Sequence, residues 1–486
     1  MGRALVVAGA VFCASCAQLA GIDETNGGKR TGQTFALTRA SIGATVVTAP
    51  QDLTGLTAAW LVPDADGTPT PVTPDSPAPG TWHVDELEPS PIQFTTPDGA
   101  QRIWDFPDDA LTAAFAVLEH PAPVAADPAA TFAVSMTLPV AYNGTDSFYA
   151  YTVGAWAERV FAAAELPPAD GTGTTLALTY PVSSEADLAA APIAALTTAD
   201  AFVVLEYAGA TLADSFVAPA FAQTGTDTVT GTMVAVTPDQ TLAATVDIAG
   251  LTARFATMTP AIAAPAMTWS IAAAPGAAYG TSAGPQLTAA PVDLTGDGTL
   301  AATYGNPFAA MAWPATFTLT AQSGRVYTPV SASATPPSIS LFGGTTVMQD
   351  AATTGPVVVA AGVPTAVALD AVPLTTDGVV VPAPTDWVAL SVTADVATNT
   401  LYEFEVHDYV LSADGLSYTA TTTLSTASAA PTISVPPSTF LPGHLYSIRA
   451  TVVSGGFPGI ATGNLADRAL PISSAFLDSG AFTVEL

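Results

Sequence analysis

The sequence predicts an all-β protein made of tandem antiparallel β-sandwiches, and three observations carry that prediction. Apolar residues recur with period two, as on half-buried strands: Leu56, Ala58, Trp60, Val62; Met267, Trp269, Ile271; Phe317, Leu319; and Tyr402, Phe404, Val406 opposing Leu401, Glu403, Glu405. Asp-Gly pairs punctuate these runs at 66–67, 98–99, 170–171, 297–298, 377–378 and 414–415, and supply the positive φ of tight hairpin turns. Forty-two prolines interrupt any long helix, while abundant threonine suits a pleated surface.

Two stretches read as short helices instead. Asp108 to Glu119 has an acidic start, with Leu111, Phe115 and Leu118 on one side, although Leu111, Phe115 and Val117 also fit a strand. Glu185 to Leu196 is the other, cut by Pro192.

Pro-rich seams at 120–128, 259–265 and 335–337 divide the chain. The expected order is a leader over 1–15, a tether over 16–33, sandwiches over 34–125 and 126–262, a β-rich domain or extension over 263–337, and a last sandwich over 338–486. No short fixed repeat is visible, which disfavours a solenoid or propeller.

Composition excludes several functions. Ten Lys+Arg face 41 Asp+Glu, a net charge of −31, so the cations that neutralise nucleic-acid phosphates are missing. Only 10% of residues are charged while 49% are hydrophobic, the reverse of a disordered chain. No apolar run approaches the roughly 20 residues of a membrane-spanning helix. The charge is also uneven: Lys29, Arg30 and Arg39 lie near the start, and beyond residue 40 six arginines stand against thirty-nine acids.

The N-terminus reads MGRALVVAGAVFCASCAQLAG, with Arg3 as a minimal positive region and Ala4 to Phe12 as a nine-residue apolar core. Its end, Cys13-Ala14-Ser15-Cys16, resembles the lipobox of bacterial lipoproteins, with Cys13 where Leu or Val is usual. The resemblance implies cleavage before Cys16, lipidation of that cysteine and attachment to a membrane. Ala17 in place of an aspartate implies the outer membrane or cell surface. Ordinary cleavage after Ala17, giving a periplasmic or secreted protein, is the alternative. Cys13 and Cys16 are the only cysteines, so a chain cleaved and acylated at Cys16 has no disulfide.

Two further resemblances concern the body. Leu401 to Val406, and Phe440-Leu441-Pro442-Gly443-His444-Leu445-Tyr446-Ser447-Ile448-Arg449, resemble strands of a fibronectin type III domain. This implies a tyrosine corner in which Tyr446 buries its ring and returns its hydroxyl to the backbone just before it. Gly80-Thr81-Trp82-His83-Val84 and the run to Phe94 resemble the transthyretin-like sandwich of carboxypeptidase regulatory domains, over Thr34 to about Leu118.

The chemistry-bearing motifs are sparse. Gly280-Thr281-Ser282-Ala283-Gly284 matches the G-x-S-x-G of hydrolases, with His407 later in the chain, but Pro275 and Pro285 flank it and no βαβ pattern surrounds it. Asp293, Thr295 and Asp297 resemble the first half of a calcium loop, yet its twelfth position is Tyr304. His83, His120, His407 and His444 have no metal-ligand spacing. No phosphate or dinucleotide loop is present, and no cofactor is expected. The seven tryptophans lie in or beside apolar strands and read as core, but Phe308 and Trp313, between Pro307 and Pro314, read as an exposed aromatic cluster. No pair of carboxylates is singled out. A non-catalytic structural or adhesive role follows, with an unidentified protein or glycan partner; cell-wall binding and secreted hydrolysis are the alternatives.

Overall fold

The computed structural model describes residues 33–485 apart from 61–69, 73–74, 77, 85–91, 96–100, 106–109, 118–130, 154–156, 170–171, 182–196, 223–224, 280–283, 330–336, 360–361, 396–399 and 460–463. The fold is all-β, as the alternation predicts. Its largest sheet has fourteen strands. The main path of that sheet runs from Gln286–Pro291 through Ala266–Ala273, Ala315–Tyr327 and Ile339–Asp350 into the C-terminal strands. Smaller sheets share cores with it and with one another, and Ala201–Ala208 is buried on both faces, its alternate residues entering two different cores. The glycines of the described Asp-Gly turns, Gly298, Gly378 and Gly415, have φ of 76°, 78° and 71°.

Strand pairing crosses the expected domain boundaries. Gln101–Asp105 lies parallel to Tyr418–Ser428, and Ala110–Val117 pairs with Asn464–Leu465. One apolar core therefore joins Phe35, Trp82 and Phe94 to Leu401, Val453 and Leu465. The segment 34–117 is thus hydrogen-bonded into the end of the chain. Segment 263–337 joins onward as well, because Ala315–Tyr327 pairs along its length with Ile339–Asp350.

One local reading changes. Within Asp108–Glu119 the strand alternative holds: Ala110–Val117 is a strand, parallel to Gln33–Ile42 on one side and bonded to 464–465 on the other. An interior parallel strand is apolar nearly throughout, and that pattern cannot be told from a buried helix by periodicity alone. The second stretch, 185–196, lies outside the described residues. Among the described residues the α-helix is Ile248–Phe255, which buries Leu251 and Phe255 one turn apart. The Asp247 carboxylate caps it by accepting the Gly250 N–H at 2.8 Å. A Cβ at Gly250 would sit 2.1 Å from that carboxylate, which would have to turn aside to make room.

Candidate functional site

The aromatic pair expected at the surface is inside, which corrects the sequence reading. Phe308 and Trp313 are 0% and 2% exposed, and their rings stack at 5.4 Å. A 3-10 turn over Ala309–Met311 reverses the chain between the prolines and folds both rings inward. The Trp313 indole donates to the Ala44 carbonyl at 2.7 Å, and Asn306 bonds the Trp313 carbonyl and the Phe308 N–H. With its polar atom satisfied, the indole loses nothing by burial. Trp82, Trp104 and Trp269 are also buried.

The loop resembling a calcium site closes on itself. Asp293 Oδ1 accepts from the N–H and hydroxyl of Thr295, at 2.9 and 2.7 Å, and Asp297 Oδ1 accepts from the Thr299 N–H at 2.9 Å. These hydrogen bonds hold both carboxyl groups below the usual carboxylate range. Among the described residues no group of three His, Cys, Asp or Glu side chains is arranged to hold a metal ion. Cys16 and Ser282 lie outside the described residues, as does His120.

The other histidines have neighbours of their own. His83 bonds the Thr34 hydroxyl at 2.9 Å, and His407 meets Thr422 at 3.2 Å and Glu405 at 3.6 Å. Burial lowers the His407 pKa. His444 Nδ1 lies 2.8 Å from Asp408 and stacks on Tyr446. The Tyr446 ring is buried, and its hydroxyl accepts the Leu441 N–H at 2.8 Å.

An open groove of about 840 Å³ lies beside the strand Gln33–Ile42. That strand changes partner midway: its first half pairs with Thr81–Val84 and its second with Val46–Pro50. At the switch, Leu37 donates to the Gly80 carbonyl and accepts from the Gln51 N–H. A Cβ at Gly80 would lie 2.5 Å from the Leu37 carbonyl oxygen, so only glycine allows this approach. The chain leaving Val46–Pro50 and the chain entering Thr81–Val84 wall the groove. Gln51, Asp52, Thr54, Thr57 and Ser76 offer polar groups, and Trp82 lies beneath. Hydrogen bonds from Thr54 lower the Asp52 pKa, which keeps that carboxylate charged in neutral solution. The volume suits a small ligand.

A second arrangement was invisible in the sequence. Glu206 on Ala201–Ala208 stands directly across from Asp214 on Thr211–Ala218, next to a β-bulge. Their exposures are 6% and 9%. Burial, then the Asp214 carboxyl, then Asp146 push the Glu206 pKa up to about 8. Burial also raises Asp214, while its hydrogen bond with Glu206 works the other way. Both shifts are upward, so the pair holds on to a proton that two solvated carboxyl groups would release.

No family model matches the chain, and no curated protein matches it significantly. Among solved structures, a mutant Salmonella alpha-2-macroglobulin is 10% identical at a TM-score of 0.15, over 97% of this chain and 41% of that one. Escherichia coli alpha-2-macroglobulin activated by porcine elastase is 10% identical at 0.15, over 94% and 44%. The chain spans less than half the length of either, and a likeness this slight decides neither fold nor function.

Proposed function

We propose that this chain is an exported β-sandwich protein, held at the bacterial envelope by lipid on Cys16, with a structural or adhesive role and no catalysis. The carrying observation is the segment from Arg3 to Cys16: one cation, a nine-residue apolar run, small residues, and the only two cysteines of the chain. The interlocking of segment 34–117 with the C-terminal strands favours a mechanical role over a hinged one. The Tyr446 hydroxyl on the Leu441 N–H supports a fibronectin type III-like last sandwich. Intact mass of the protein expressed in a bacterial host with lipoprotein processing tests the anchor. A chain starting at Cys16 with a triacyl-sized increment, released from membranes by Cys16→Ala, is expected; an unmodified chain starting at Gln18 refutes it.

One observation favours a second reading, recognition of a glycan or cell-wall fragment: the groove bordered by Gln51, Asp52, Thr54, Thr57 and Ser76. Hydroxyl, amide and carboxylate groups are the partners that sugar hydroxyls require. Purified cell wall should retain the wild-type chain and release Asp52→Ala while its unfolding midpoint holds. Equal retention of both removes the reading.

A further inference from the structure

The cross-strand acids have no part in that reading, yet their placement is costly in itself. By alternation, Glu206 shares a face with Phe202 and Val204, toward the core that also contains Phe148 and Ala150. Asp214 occupies the paired position on the next strand and also lies against the Val234–Ala235 edge strand. Its Oδ1 is buried without a hydrogen-bond partner. Two carboxylates so placed cannot both be ionised, because a buried unpaired charge is strongly disfavoured.

The surroundings supply no compensating charge among the described residues. From the turn before Ser147–Val153, the acid Asp146 approaches, held by Asn143 at 2.6 Å, and Tyr142 lies in the same core. On the neighbouring strand, Arg159 is engaged by Glu165 at 2.9 Å. Thr131–Thr137 and Val234–Ala235 carry no ionisable residue, and Thr175–Pro181 carries no charged one. Thr226–Thr232 contributes Asp227, opposite Phe132 and four residues before Gly231, which packs on Phe216.

We propose that Glu206 and Asp214 share one proton and act as a pH-sensitive latch, holding the hairpin 201–218 closed while the proton is bound and loosening it when the proton leaves. Closed, Glu206 donates to Asp214 across the strand pair. Open, both carboxylates reach water and ionise. A closed form that binds a proton the open form lacks must open more as pH rises. The bulge at Glu206/Tyr207 and the two-residue edge strand 234–235 are where the ladder is thinnest, so opening starts there.

Hydrogen exchange on the full chain tests this, in EDTA and corrected for intrinsic rates. The opening constant of amides 202–216 should rise roughly tenfold per pH unit between about 5 and 8 in the wild type. In Glu206→Gln, which stays neutral, the dependence should fall by about one power of ten per unit, with amides of 445–455 unchanged. If Glu206→Gln fails to fold, combining it with Asp214→Asn leaves a neutral amide pair with no proton to lose, and this double variant should flatten the same amides. A slope equal to wild type in the folded variant overturns the latch. So does millimolar calcium restoring protection at pH 8.5, which would make a cation, rather than a proton, the bound species.

Discussion

Two regions bury carboxylates in opposite ways. In the C-terminal sandwich, Asp478 is 3% exposed and is gripped by Arg449 through Nε at 2.7 Å and Nη2 at 3.0 Å. Burial works against the Arg449 charge, but Asp478 more than offsets it and raises the guanidinium pKa. Nearby, Arg325 bonds Asp377 and donates to the Ser479 carbonyl at 2.6 Å. In the two sheets that residues 131–235 form around a shared core, Glu206 and Asp214 are buried against each other. The difference follows from supply: of six arginines beyond residue 40, Arg449 and Arg325 clamp Asp478 and Asp377, while within residues 131–235 Arg159 is taken by Glu165. For Glu206 and Asp214 a proton has to do the neutralising. The clamp itself holds no group that titrates near neutrality, whereas the acid pair is tied to pH there.

Breaking the clamp should have the largest effect. Arg449→Met leaves Asp478 buried with no cation and should cost about 3 kcal/mol in denaturant unfolding of the last sandwich; a loss under about 1 kcal/mol would mean that Asp478 finds other partners. The acid pair should respond next, through pH. Its folded pKa, about 8, lies above the ordinary 4.5, so its contribution is fully present below 4.5 and is lost as pH rises toward 8. The sheets formed by residues 131–235 should accordingly lose unfolding resistance across that window while the Arg449 region does not weaken, as residue-resolved exchange will read. Tyr446→Phe is smaller. It removes the acceptor of the Leu441 N–H and should cost about 1 kcal/mol. Smallest of all, Asp293→Asn changes an exposed turn and should leave the unfolding midpoint where it is, with or without calcium.

The sequence made visible what depends on near neighbours. Alternation marks the strands, and the run Leu441-Pro442-Gly443-His444-Leu445-Tyr446 marks the tyrosine corner because its donor, Leu441, lies five residues from Tyr446. Helix Ile248–Phe255 had local signals too, the Asp247 cap and the Leu251–Phe255 spacing, masked by Gly250 and the proline seam that follows. What depends on distant partners was hidden. Trp313 is inside because the Ala44 carbonyl, far back in the chain, receives its N–H. Glu206 meets Asp214 only through a particular hairpin register with its bulge, which no composition or motif encodes.

The parallel pairing of Gln101–Asp105 with Tyr418–Ser428 sets a schedule for folding. Emerging N-terminus first, the early strands wait with an open edge until residues 418–428 and 464–465 follow. Trp104 and Phe94 stay without their distant neighbours for that interval. Such long-range closure is slow and exposes sticky surface. A cell making this protein has to shelter the first quarter of the chain until the last has arrived.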